Sequence, residues 1–262
     1  VLNRLPREYS LAFAAAVNDD EVLHANLAAS PVFRQSDVPL LAERGYPCAS
    51  KAYNHALDNN DADVVVFAHQ DVYLPQGWER RLLSAIRTLD RQEKRWAVLG
   101  VVGVNWDGTF VGRAWSNGLQ HEINRPVSDP IPVQSLDEIV LALRRDSGVR
   151  FDAEMPGFHL YGTDVAQSAL AAGMEAYVFD GPVVHNSLPV MRLDGSYRRA
   201  YRAIQRKWRS RLPIGTTIVP VTRWGWPLWS ASAGLRWQGL RHAPVQHRHD
   251  RPGVLARQLG YE

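Results

Sequence analysis

The chain has 262 residues, 45% hydrophobic and 22% charged, with a formal net charge of +3 and a single cysteine, Cys48. A chain of this length and balance buries a sizeable core, which excludes a disordered protein. One cysteine excludes a disulfide scaffold or a Cys-rich zinc module, and no apolar run approaches the ~18 residues that span a bilayer.

In chain order, Leu11 to Val17 is a short apolar run and reads as a buried strand. Asn18 follows as a helix cap with Glu21 at capping-box spacing, and a short helix carries Val22, Ala25, Leu27 and Ala29 as far as Pro31. Ala49 to Leu57 reads as a second helix. Val64 to Ala68 is the clearest buried strand, β-branched and apolar on both faces. Trp78, Leu82, Leu83, Ile86 and Leu89 fall at helical spacing, and Ala97 to Val104 is another apolar strand. Ser135 and Glu138 form a capping-box pair that predicts a helix through Leu143. A helix is expected from Asp164 to Ala172, stopped by Gly173, with a strand from Ala176 to Phe179. Strand–helix–strand order of this kind implies a mainly parallel α/β sheet covered on both faces, with ligands bound beyond the carboxyl ends of its strands. No G-x-G-x-x-G follows the first strand and no G-x-x-x-x-G-K is present, which argues against a dinucleotide dehydrogenase or a P-loop enzyme.

The C-terminal part differs in character. From Asn186 to Glu262 there are 14 Lys and Arg against 3 Asp and Glu, together with five of the nine Trp, so an acidic body precedes a basic, Trp-rich tail. Such a tail meets anions (nucleotide phosphates, nucleic acid or a phospholipid surface) or simply carries solubilising Arg. Tyr197, Ala200, Tyr201, Ile204 and Trp208 line one helical face, with Arg198, Arg199, Arg202 and Arg206 largely off it. Two domains are therefore expected, a body over 1–190 and an extension over 191–262. No charged-then-apolar leader opens the sequence, and the expected location is cytoplasmic.

The polar groups just after strands are where chemistry is sought. His69, Gln70 and Asp71 directly follow the strand Val64 to Ala68. Asp71 is a hard oxygen ligand suited to Mg²⁺ or Mn²⁺, although an Asp there is also a common turn residue. Asp164 reads either as a helix cap or as a general base, and His185 either as a structural residue or as a ligand. His247 and His249 have spacing seen in metal sites but lie in the basic tail. Trp78 and Trp115 read as sugar-stacking platforms or as core.

Taken together, Asn18 and Asp19, Ser50 to Asn54, Val64 to Asp71, Gly162 to Asp164 and His185 resemble, in their order, the GT-A glycosyltransferases of the family-2 type. The resemblance is nearest to a bacterial subgroup with His-Gln-Asp in place of Asp-x-Asp and an acceptor loop like Gly157 to Asp164 here; it covers roughly residues 9–190. It implies the GT-A fold and an inverting transfer of sugar from a nucleoside-diphosphate sugar, UDP- or GDP-linked, to a glycan, lipid-linked or small-molecule acceptor. The setting it implies is bacterial surface-polysaccharide or secondary-metabolite synthesis. By the same resemblance Asn18, Asp19, Asn54, His69, Gln70 and Asp71 hold the nucleotide, Asp71 and His185 hold a divalent cation, Mn²⁺ or Mg²⁺, and Asp164 is the base. His69 and Thr163 depart from the usual Asp and Glu of the family's motifs. A nucleotidyltransferase and a non-catalytic nucleotide-sugar or glycan-binding protein are the alternatives. Arg192, Arg198 or Arg199 are expected to close over the diphosphate, and the tail to seat the protein at an anionic membrane; no nucleic-acid partner is expected.

Overall fold

The computed structural model describes residues 8–189, 193, 195–231 and 247–262. The chain runs through β1 (Leu11–Val17), α1 (Asp20–Ala25), α2 (Val32–Gln35), β2 (Leu40–Arg44), α3 (Ala49–Asp58), β3 (Val64–Ala68), β4 (Val72–Tyr73) and α4 (Trp78–Arg91). It continues through β5 (Trp96–Gly100), β6 (Val102–Val104), β7 (Phe110–Ser116), β8 (His121–Arg125), β9 (Ile131–Val133), β10 (Ser135–Leu136) and β11 (Val140–Arg144). Then come α5 (Tyr161–Ala171), β12 (Glu175–Val178), β13 (Val184–His185) and α6 (Gly195–Lys207), and a last helix spans Pro252–Gln258.

Strand alternation fixes the layers, because successive side chains go to opposite faces. Phe13, Ala15, Val17, Val64, Val66 and Ala68 enter one core with Leu23, Leu27, Trp78, Leu82 and Ile86. Ala14, Val65 and Phe67 enter a second with Ala52, Tyr53, Tyr161 and Val165. The sheet thus carries α1 and α4 on one face and α3 and α5 on the other, which is why its strands β1, β3 and β5 are apolar throughout.

The large sheet has seven strands in the order β2-β1-β3-β11-β5-β12-β9, and a smaller one runs β10-β6-β7-β13-β4 with β8 on β7. The large sheet is mixed: β1 is parallel to β2 and β3, and β12 to β5, whereas β11 lies antiparallel between β3 and β5 and β9 antiparallel to β12.

Several sequence expectations change here. The helix expected from Ser135 to Leu143 is instead β10, a turn and β11. Val140 to Leu143 are all buried, and both edges of this segment pair, with β3 and with β5, so sheet context overrides the capping-box signal. Ser135 Oγ bonds Thr163 Oγ1 at 2.9 Å rather than capping a helix. The run from Ala97 to Val104 is two strands, β5 in the large sheet and β6 in the small one, because the chain crosses between sheets at Val101. The cap of α1 is Asp19, whose carboxylate accepts from Val22 N at 3.0 Å, and not Asn18. Helix α5 starts earlier than expected, at Tyr161, so Asp164 lies within its first turn and not at the cap. Gly162 is required there: a Cβ would sit 2.7 Å from the Leu136 carbonyl oxygen, so only glycine lets α5 start this close to β10.

The C-terminal part packs on the body at two places. Tyr197, Ala200, Tyr201 and Ile204 of α6 are buried against Met155 and Leu160, while Arg198, Arg199, Arg202 and Arg206 face solvent. Leu255, Ala256 and Tyr261 pack against Tyr73 and Val184. Trp224, Trp226 and Trp229 stand 79%, 68% and 64% exposed. Arg192 and Trp237 lie outside the described residues. Among the described residues, no helix is long and apolar enough to cross a membrane.

Candidate functional site

The carboxyl end of β3 delivers His69, Gln70 and Asp71 to the mouth of the large sheet. The next residues form β4, which pairs antiparallel with β13 so that Val72 faces His185. Asn186 N donates to Asp71 O at 2.9 Å and locks this register. That pairing brings His185 Nε2 to 3.4 Å from Asp71 Oδ1, and the His69 and His185 rings to a 5.4 Å centroid distance. His69, Asp71 and His185 each offer one ligand atom, all within 4.8 Å of one another, which is a donor set that can hold a metal ion.

The electrostatics suit ligation. Burial pushes the Asp71 carboxyl up, but the charge and hydrogen bond of His185 pull it further down, so it is ionised. Burial pulls His185 down, and Asp71 more than restores it. Burial, aided by the neighbouring His185 charge, lowers His69 to about 4, which keeps its imidazole neutral. Tyr161 from α5 supports it: its hydroxyl donates to Glu138 O at 3.3 Å and meets His69 Nε2 at 3.0 Å. With that hydroxyl proton committed to Glu138, Nε2–H donates to Tyr161 and Nδ1 keeps its lone pair.

Gln70 joins the loop after β3 to the loop after β1. Its Oε1 accepts from Asn18 N at 3.0 Å and Asp19 N at 3.2 Å. Asn18, Asp19, Gln70 and Asp71 therefore share one rim. The Asn54 side-chain amide donates to Phe151 O at 2.8 Å and accepts from Phe151 N at 3.2 Å, tying α3 to that loop.

Asp164 is held in a closed network. Its side chain is 1% exposed, with Oδ2 at 2.9 Å from Lys207 Nζ and Oδ1 accepting from Trp208 Nε1 at 2.7 Å. Lys207 also donates to Asp152 at 2.7 Å. Burial raises the Asp164 carboxyl, and Lys207 offsets part of that.

Of the other residues singled out from the sequence, Trp78 is core, 1% exposed with Nε1 donating to Gly181 O at 3.0 Å. Trp115 packs against the cluster of Tyr73, Val184 and Tyr261. His247 and His249 do not join the donor set. Among the described residues, the tail cation that reaches the site is Arg248, with Nη2 3.8 Å from Asp71 Oδ2; Arg198 and Arg199 lie on the exposed face of α6. Tyr161, Lys207, Trp208 and Arg248 were not assigned to the site from sequence. Tyr161 lies within the acceptor-like loop Gly157 to Asp164, and Trp208 continues the amphipathic pattern of α6; Lys207 and Arg248 carried no signal beyond the basic character of the tail.

A family model described as glycosyltransferase like family matches residues 34–203, and the chain belongs to that family. The sheet order, the helices on both faces and the site at the strand ends agree with the GT-A fold expected of it. The chain is also 29% identical over 163 residues to "ATP synthase subunits region ORF 6" of Fuscovulum blasticum, an alignment covering 57% of this chain and 61% of that protein. Among solved structures it is similar to the mannosyltransferase PcManGT from Pyrobaculum calidifontis in complex with GDP-Man and Mn²⁺, at 13% identity and a TM-score of 0.49, over 98% of this chain and 81% of that one. It is likewise similar to glucosyl-3-phosphoglycerate synthase from Mycobacterium tuberculosis in complex with Mn²⁺, UDP and phosphoglyceric acid, at 12% identity and a TM-score of 0.46, over 80% and 81% of the two chains.

Proposed function

We propose that this protein is a glycosyltransferase that moves a sugar from a nucleoside-diphosphate sugar to an acceptor hydroxyl with inversion at the anomeric carbon. The observation that carries the reading is the His69, Asp71 and His185 donor set at the carboxyl end of β3, in a chain of the glycosyltransferase like family. These residues would hold a divalent cation, and two imidazoles with one carboxylate suit Mn²⁺ better than Mg²⁺, which prefers oxygen donors. The cation supplies positive charge where the departing diphosphate gains negative charge.

The chain's own groups supply the rest. Asn18, Asp19 and Gln70 form the rim for the nucleoside. Asp164 takes the acceptor proton as the new bond forms, a contribution of roughly 10²–10⁴ in rate. Its raised pKa favours proton uptake, and each of its oxygens keeps a lone pair beyond the one that Lys207 or Trp208 engages. In this reading residues 1–190 are the donor-binding body and 191–262 a basic, Trp-rich extension. The protein works in the cytoplasm, in bacterial polysaccharide or secondary-metabolite synthesis, and the exposed Trp224, Trp226 and Trp229 rest on an anionic bilayer near the acceptor.

The test is a thermal-shift panel of UDP, GDP, CDP and dTDP, with and without Mn²⁺, on wild type and Asp71→Ala. One nucleotide is expected to stabilise the wild type only with the metal, and to lose its effect in Asp71→Ala. No shift from any nucleotide defeats the donor-site reading. With the identified donor, Asp164→Asn is expected to keep donor binding and lose about 10²–10⁴ in transfer rate. Release of pyrophosphate instead of a nucleoside diphosphate identifies a nucleotidyltransferase, and binding without transfer identifies a non-catalytic binder.

A further inference from the structure

Asp164 is almost closed to water, and charged residues help to close it. Asp152 lies in the loop between β11 and α5, and that loop is pinned to the body. Phe151 is buried against Tyr53, Phe67 and Tyr161, and the Asn54 side chain bonds both its N and its O. Asp152 Oδ1 accepts from Glu154 N at 2.9 Å, which leaves Oδ2 for Lys207 Nζ at 2.7 Å. Lys207, at the end of α6, also reaches Asp164 Oδ2 at 2.9 Å, and the Trp208 indole takes Asp164 Oδ1. α6 is itself seated on the body through Tyr197, Ala200, Tyr201 and Ile204, so the ammonium is held from both sides. Among the described residues, the charged groups around Asp164 are Lys207 and Asp152, with Arg211 behind the indole. The Arg211 guanidinium lies 5.3 Å from the Trp208 ring centre, and its Nη1 donates to Gln167 O at 3.4 Å.

A carboxylate that is 1% exposed and has no counter-charge holds its proton toward neutral pH and cannot serve as a base. Burial does raise Asp164, and Lys207 works against it. A cation given wholly to Asp164 would do the opposite harm, since a strongly paired carboxylate is a poor proton acceptor. Asp152 prevents that. It lies nearer to Lys207 than Asp164 does, its side chain is 28% exposed, and the bonds from Lys207 and Glu154 N outweigh its burial and hold it ionised. Burial lowers Lys207 in turn, and its two carboxylates more than restore it. Two carboxylates around one ammonium carry one net negative charge, which a single proton on Asp164 neutralises. We infer that Lys207 and Asp152 are positioning residues for Asp164: Lys207 fixes the carboxylate and keeps it charged where water is shut out, and Asp152 draws off part of that cation's field so that the carboxylate still takes a proton. The inference rests on the reading of Asp164 as the base and adds the pair that sets its state.

The test is a pH titration by NMR of the full chain carrying ¹³C at the Asp side-chain carboxyls, with the Asp164 signal identified by its loss in Asp164→Asn. Removing the cation in Lys207→Met is expected to move the Asp164 midpoint up by about one pH unit or more, and removing the competing anion in Asp152→Asn to move it down. Lys207→Arg keeps the charge and is expected to titrate closer to wild type than Lys207→Met does. A general loss of packing moves both variants the same way, so the opposite signs are the mark of the pair. Asp152→Asn is isosteric and partly exposed, and decides the matter by itself if Lys207→Met does not fold. A midpoint unmoved in Asp152→Asn, or raised in both variants, overturns the inference and leaves the base reading standing. Transfer of sugar by Asp164→Asn at the wild-type rate defeats the base reading, and the inference with it.

Discussion

At the scale of the residue, the site is organised by pairs that satisfy one another. Asp71 is ionised because His185 faces it, and His69 is neutral because burial and the same His185 charge disfavour a second imidazolium. Glu138 faces no cation among the described residues, and its charge is met only by backbone N–H groups, those of Gly162 and Leu160 among them. Burial, and next the neighbouring Asp137 carboxylate, push it from 4.5 up to about 8, and its Oε1 is buried without a hydrogen bond. Its pKa is higher folded than unfolded, so across the window between these values the folded state holds a proton that the unfolded state has released. Stability therefore falls as pH rises from about 5 to about 8. Glu138→Gln removes the titration, and its melting temperature is expected to exceed that of wild type by a margin that grows through this window. A margin independent of pH removes this account of Glu138. His69, Asp71, Asp164 and His185 were singled out by their positions after strands and at a helix start. The partners that set their state, Tyr161, Lys207 and Trp208, were not, since nothing local in the sequence marks which distant side chain meets a given group.

At the scale of the element, β3 and β1 were legible to the residue because their short apolar runs, β-branched in β3 and bounded by polar residues, suit a doubly covered strand. β11 was not legible: its Val-Leu-Ala-Leu-Arg sequence suits a buried helix segment as well as a strand, and the preceding capping-box pair favoured the wrong one. The vacancy between β3 and β5 decided it, by offering hydrogen-bonding neighbours on both edges. The α5–α6 contact is the other tertiary device. Trp208 Nε1 donates to an Asp164 that is 1% exposed, so Trp208→Phe keeps the ring's packing and leaves that oxygen short of a donor. Such a loss costs about 1.5–3 kcal/mol, to be read as a lower urea midpoint with an unchanged m-value. An unaltered midpoint means that the bond adds nothing net to stability.

At the scale of the whole molecule, the basic C-terminal part is both structural and peripheral. α6 and the helix Pro252–Gln258 are seated on the body, whereas Trp224, Trp226 and Trp229 present indole rings to solvent beside Arg223. Replacing these three Trp with Ala is expected to abolish flotation with vesicles containing phosphatidylserine and to leave the nucleotide-dependent thermal shift intact. Equal flotation of the variant and wild type removes the membrane role. The sequence by itself determined the α/β class, the strand that carries the site and the residue types at its end, because these depend on local periodicity and on the bias of ligands toward strand termini. Only the tertiary structure decided that β11 is a strand, that the β4–β13 pairing sets His185 against Asp71, and that Arg248, rather than any cation of α6, reaches the donor set. Those outcomes depend on which distant segments satisfy each other's backbone and charge, and a local pattern holds no record of that.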